Sequence, residues 1–284
     1  MARARRDRGS ALPGFGLSMG ITLCFLSLLV LIPLATLVLK TLSLSWAEIL
    51  RTLGSPRTLA AFRLSLGAAF AAAALNLVFG LVVAWVLERY RFPGRRLMDA
   101  LVDLPFALPT AVAGISLASL YSANGWLGRW LEPLGLKVAY TPLGIAVALT
   151  FVSLPFVVRT VQPVLGELSP EVEEAAASLG AGRWRTFRSV LLPELGPALA
   201  TGFALAFARA LGEYGSVIFI AGNLPGKSEI TPLLIMIQLE QYNYAAATTL
   251  ALGFLLVAFT LLLAVNALAF RSARRAPAAR GAAA

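Results

Sequence analysis

The sequence predicts an all-α protein that crosses a membrane six times, and three observations predict it. The 284 residues are 58% hydrophobic and only 13% charged, and the mean hydropathy is +0.80. A soluble domain carries about 25% charged residues. Apolar runs long enough to cross a hydrocarbon core of roughly 30 Å recur along the chain. Short arginine clusters separate those runs, the distribution expected of a polytopic membrane protein. The net charge of +10 therefore reads as contact with a lipid bilayer, with no nucleic-acid partner.

The elements follow in order. Residues 1–16 are basic, with Arg3, Arg5, Arg6 and Arg8. Residues 17–39 are the first span, kinked at Pro33, and too long in its apolar run for a cleaved signal peptide. Lys40 to Arg63 reads as a mixed loop containing Trp46, Glu48 and Pro56. Leu64 to Leu87 is the second span, its Ala and Gly allowing close helix packing. Glu88 to Asp99, with four arginines and a Pro-Gly turn, is a short cytoplasmic loop.

The third span, from about Ala100 to Tyr121, is interrupted by Pro105, Pro109 and Gly114. It is either a kinked packing helix or a hinge lining a pathway. Ser122 to Tyr140 is aromatic and mildly polar, as expected of an interfacial helix on the outer side. Thr141 to Val158 is the fourth span, with Pro142 and Pro155 near its ends, and Ala198 to Ala221 is the fifth. Gly222 to Tyr244 is an outer loop or a partly re-entrant one, since Ile230 to Ile237 is too short to cross. Ala245 to Phe270 is the sixth span, and residues 271–284 are a basic tail. Sixteen of the 24 Lys and Arg then fall with the two termini, 88–99 and 159–195, and seven fall opposite. Both termini are expected in the cytoplasm.

One long stretch is soluble in character: SPEVEEAAASLGAGRWRTFRSVLLPEL, residues 169–195. Ser169 suits an N-cap and Pro170 the first helical position, and Glu171, Glu173 and Glu174 sit at the positive helix end. Gly180 suits a left-handed cap. A second helix follows with Trp184, Phe187, Val190 and Leu191 on one face, and Pro193 is expected to end it. The stretch reads as two short helices bent at Gly180.

Glu174-Ala175-Ala176, then Gly180, then Val190 and Leu192-Pro193 match the EAA motif spacing of ABC importer permeases, with Val190 in place of Ile. The stretch resembles that family's coupling loop, and the resemblance covers about Arg63 to Phe270. It implies a type I ABC importer transmembrane domain over residues 58–270, whose loop at 169–195 seats in a cytoplasmic ATPase. The resemblance assigns the ATPase-coupling role to Glu174, Ala175, Ala176, Gly180, Val190, Leu192 and Pro193.

Several functions lose their chemistry. There is no His, and the single Cys, Cys24, lies in an apolar run, so an internal disulfide is excluded and a His/Cys metal site is not expected. No triad is possible without His, and no catalytic residues are assigned. Ala221 to Ser228, AGNLPGKS, fits a relaxed phosphate-loop pattern, but the preceding VIFI run belongs to a span and the loop falls on the side without ATP. No cofactor is expected on this chain; ATP and Mg belong to the partner ATPase.

Arg209 and Glu213 lie four apart in the fifth span, on one helix face. Ionisable groups in a membrane usually face a bundle interior or a wet cavity. The pair either locks the helix or, with Tyr214 nearby, lines an anion's route, where Glu213 keeps the arginine from trapping the ion. Pro109 is the third-span residue assigned to the same pathway. Asp103 reads as an interfacial anchor.

DLPFALPTAVAGISL at 103–117, NGWLG at 124–128, ARALGEYGSVIFIAGNLPGKSEITPLLI at 208–235 and EQYNYAAAT at 240–248 resemble the T subunits of sulfate/thiosulfate importers. Molybdate/tungstate permeases are similar and compete for the substrate assignment. The resemblance implies a heterodimer with a W-type permease, two copies of a cytoplasmic ABC ATPase and an extracytoplasmic sulfate/thiosulfate-binding protein. A gradient-driven secondary transporter would share the six spans but has no use for a docking loop.

Overall fold

The computed structural model describes residues 15–275, so the basic segment up to residue 14 and the tail beyond 275 lie outside the described residues. The described residues are helices and connecting turns, without a strand. Five helices are long and apolar enough to cross a membrane: α1 (Phe15–Leu42), α3 (Pro56–Arg89), α8 (Pro142–Glu167), α10 (Arg183–Leu211) and the apolar part of α13 (Tyr244–Arg275).

Prolines shape two of these rods in the same way. Proline lacks an N–H and its ring presses on the carbonyl four residues back. In α1 a π-helical turn, Ser27–Leu31, precedes Pro33 and absorbs the defect. In α10 the π turn Phe187–Leu191 precedes Pro193. Pro193 therefore does not end the second helix of the 169–195 stretch, contrary to expectation. The helix runs on unbroken into the fifth span, from Arg183 to Leu211.

The connection expected at Lys40 to Arg63 is also helical. Ser45 and Glu48 form a capping box that starts α2 (Trp46–Leu53), and Ser55 caps α3 eight residues before the expected second span. The third span is not one rod. It is built from α4 (Arg95–Val102), α5 (Leu104–Ala107) and α6 (Thr110–Tyr121), broken at Asp103 and at Leu108–Pro109. The expected interfacial helix reduces to α7 (Gly128–Leu131) and a 3₁₀ turn.

The fourth span extends to Glu167, well past Val158, with Pro155 inside it. After α10 the chain breaks at Gly212–Ser216 into the short helical turn α11 (Val217–Ile220), so the VIFI run is not continuous with the fifth span. The loop after it carries Gly222, Asn223 and Gly226 at positive φ, and the Ser228 hydroxyl accepts from the Leu224 N–H. These residues form a turn and not a phosphate-binding strand–loop–helix unit. The apolar segment of the outer loop forms α12 (Thr231–Glu240).

The core is a tripod of α3, α8 and α10. Ala69, Ala72, Ala73 and Ala84 of α3 are fully buried, as are Val157, Val158 and Val161 of α8. Small residues let the backbones approach where lipid supplies no hydrophobic drive. Val157 sits between Gly80 of α3 and Gly202 of α10. A Cβ on Gly80 would come within 2.8 Å of its side chain, and one on Gly202 within 3.1 Å of its Cα. Phe70 packs edge-on against Phe203 and Phe207. α13 closes one flank, and Phe62 meets Phe254 there. Phe15–Leu26 buries no residue against the chain.

Candidate functional site

The 169–195 stretch separates into an exposed half and a half packed on the bundle. α9 (Pro170–Ser178) starts at Ser169, whose hydroxyl accepts from the Glu171 N–H. It ends in a paired cap. The Ala181 N–H donates to the Ala176 carbonyl at 3.0 Å, and the Gly180 N–H donates to Ala177 at 2.9 Å. Gly180 has φ +81°. This is a Schellman cap, in which the left-handed residue comes four positions after the carbonyl that accepts the outer bond. The four-residue step from Ala176 to Gly180 in the motif is thus the spacing of the cap itself.

Glu174, Ala175 and Gly180 are exposed and Ala176 is half-buried. Leu179 is 88% exposed, an apolar tip on a polar helix. Glu173, rather than Glu174, ties α9 to the bundle through Arg89 at 2.9 Å. Arg89 in turn lies over the Trp85 ring. The other half of the motif belongs to α10. Val190 and Leu192 are half-buried and Leu192 packs on the core, whereas Pro193 is exposed. An exposed helix, held to the bundle by one ion pair, is therefore joined by a bend at Gly180 to a rod that runs through the bundle.

The second cluster lies where α10 breaks. Arg209 Nη1 is 2.6 Å from Glu213 Oε2. The other carboxylate oxygen of Glu213 accepts from the Ser216 N–H and hydroxyl at 2.8 and 2.9 Å. Glu213 is 3% exposed, while the Arg209 side chain is 31% exposed. The carboxylate thus ties the end of α10 to the break that follows it, while part of the Arg209 side chain stays exposed. Tyr214 is half-buried. The residue after Pro109 joins the same place, since a Cβ on Gly215 would run into the Thr110 side chain and one on Gly114 into the Ser216 carbonyl. The break in α10 and the break before α6 are packed against one another. Thr201, Leu205, Ala208 and Gly212 form an exposed stripe along α10 beside Arg209.

Two ion clusters were not anticipated. Arg159 of α8 grips Asp103 with Nε and Nη2 at 2.8 and 2.6 Å. Its Nη1 reaches Asp99 and Gln162, both at 2.7 Å, and Nη2 also donates to the Asp99 carbonyl. Asp103, read from the sequence as an interfacial anchor, is the partner of a bidentate arginine. At the far end of the bundle Arg57 meets buried Glu229 through two bonds of 2.8 and 2.6 Å. The Ser65 hydroxyl accepts from the Thr231 N–H beside it. The available signal was an arginine inside an apolar run, at Arg159, which asks for a partner at that depth. Among the described residues no cluster of His, Cys, Asp and Glu could hold a metal ion.

Five helices long and apolar enough to cross a membrane, a discontinuous span and a projecting capped helix define a polytopic helical membrane protein. Residues 76–276 match the family described as binding-protein-dependent transport system inner membrane component, and the chain belongs to that family. It is 55% identical over 264 residues to the sulfate transport system permease protein CysT of Escherichia coli strain K12, covering 93% of this chain and 95% of that one. The CysT of Synechococcus elongatus is 49% identical, with 89% and 91% covered. In fold it is similar to a chain of a bacterial ABC transporter that imports the acidic polysaccharide alginate, with a TM-score of 0.75 at 15% identity, covering 91% of this chain and 96% of that one.

Proposed function

We propose that this chain is the T-type permease subunit of an ATP-driven importer that carries sulfate and thiosulfate across the cytoplasmic membrane. Its near full-length 55% identity to a sulfate transport permease supports the substrate. The observation that carries the mechanism is the exposed helix α9, capped at Gly180 and continuous through the bend with α10. Its apolar tip, Leu179, is 88% exposed and is available for a partner to cover. A cytoplasmic ABC ATPase, two copies per complex, binds ATP and Mg and seats this helix. Closure of the ATPases pulls α9, and α10 passes the movement to the spans. Both termini and the 169–195 loop face the cytoplasm, in keeping with the arginine distribution.

A W-type permease completes a heterodimer, and an extracytoplasmic binding protein delivers the anion. Residues 58–270 act as the transport unit. Arg209 compensates the anion's charge at the break in α10, Glu213 and Tyr214 shape that point, and Pro109 sets the facing hinge. The test is ATP hydrolysis by the reconstituted complex with its binding protein loaded in turn with sulfate, thiosulfate or molybdate. Stimulation by the first two is expected. Stimulation by molybdate alone would refute the substrate assignment, and hydrolysis indifferent to every loaded form would refute the coupling.

A further inference from the structure

One feature the transport reading does not use is a groove of about 880 Å³ at the end of the bundle that carries α9. It lies between the last two turns of α3 and the first turn of α10. Trp85, Phe92, Trp184 and Phe187 form its apolar walls, and its only charged lining residues are Arg91 and Arg183. Neither arginine has an ion-pair partner among the described residues, whereas neighbouring Arg89 is held by Glu173.

Three facts identify the occupant. The groove continues an apolar stripe of α3 that faces outward: Leu75, Val78, Phe79, Val82 and Val86 are all at least 38% exposed. On a membrane-crossing rod such a stripe meets acyl chains. The groove lies at the end of that rod, where Trp and Tyr mark the water boundary, and Tyr90 lines it too. Within the groove the only charges are the two arginines, which an anion would complete, while Glu173 and Glu174 line the adjoining cleft on the other side of Arg183. The chain's own terminal segments, each with four arginines, carry the wrong charge to do so.

We infer that this groove binds an anionic phospholipid, one acyl chain lying along Trp85 and Phe187 and the phosphate between Arg91 and Arg183. A volume of 880 Å³ lies within the roughly 300–1,000 Å³ of small-molecule sites.

The test uses the whole transporter in bilayers of mixed lipid, with photoactivatable phosphatidylglycerol or phosphatidylcholine of the same acyl chains. Adducts are mapped by mass spectrometry. On peptides 81–92 and 183–187, phosphatidylglycerol adducts should exceed phosphatidylcholine adducts by about fivefold per arginine. R91Q/R183Q should bring the ratio near one. If the double variant does not assemble, R91Q and R183Q alone should each lower it about fivefold. V86W, which fills the groove and keeps both arginines, should reduce adducts of both lipids. Equal labelling by the two headgroups, an unchanged ratio in the arginine variants, or a protein segment cross-linked across the groove would overturn the inference.

Discussion

Gly180 offers a test in which backbone conformation is isolated from packing. Its φ of +81° lies in the left-handed region, and a Cβ built there meets nothing within 4 Å. A substitution therefore acts through the backbone alone, at about 1–2 kcal/mol for a residue with a Cβ. The cap it supports consists of two hydrogen bonds, contributing about 1 kcal/mol each. G180A, near the low end of that cost, leaves about 1 kcal/mol in favour of the bend, or roughly fivefold. G180V, β-branched and near the high end, cancels the cap, and the bend becomes one geometry among several. The assay is radiolabelled sulfate uptake and phosphate release in proteoliposomes of the whole complex. Uptake per ATP hydrolysed should fall in the order Gly, Ala, Val, with insertion unaffected. Gly182 is the control: it also has open space but an ordinary φ of −71°, so G182A, which costs only a fraction of a kcal/mol as a poorer N-cap, should leave the stoichiometry unchanged. A G180V transporter with unchanged stoichiometry would refute the reasoning.

Three other outcomes are expected. R159Q should lower the melting temperature of the complex by a few degrees. Its pairs with Asp99 and Asp103 are 30–48% exposed, so about 1–2 kcal/mol is at stake after solvent screening. D99N/D103N added to R159Q should cost little more, and full additivity would show that the groups do not act as a unit. R209Q alone should destabilise by about 3 kcal/mol, because it strands the buried Glu213 carboxylate, and E213Q should partly rescue it. Rescue of stability without rescue of uptake would separate the pathway role from the structural one. G215A and G114A should each cost about 1–3 kcal/mol by forcing α6 away from the 212–216 break, whereas G20A, with nothing near it, should melt as the parent does.

Much of the architecture was legible because membrane insertion imposes a local rule. Each apolar run must satisfy its own backbone as a helix, so the spans could be read one at a time. The helix Pro170–Ser178 was equally legible, since N-cap, first-turn acids and C′ glycine are all local signals. The helix at Trp46 was missed although Ser45-x-x-Glu48 is a capping box in plain view. Pro193 misled for a different reason. A proline ends an isolated helix, but a π turn can absorb the defect when the rod is packed on both sides, and Leu191 and Leu195 are buried against the bundle.

The sequence alone determined that the chain lies in a bilayer, how it alternates between apolar rods and charged turns, and where a capped helix stands free of them. These depend on residues within a few turns of one another. Tertiary structure decided which charges meet: Arg159 with Asp103, 56 positions apart, and Arg57 with Glu229, 172 apart. It also decided that the break at Pro109 lies against the break at Gly212–Ser216. A polar group at membrane depth demands a partner, but only the packed helices, through the angles their small residues allow, determine which one arrives.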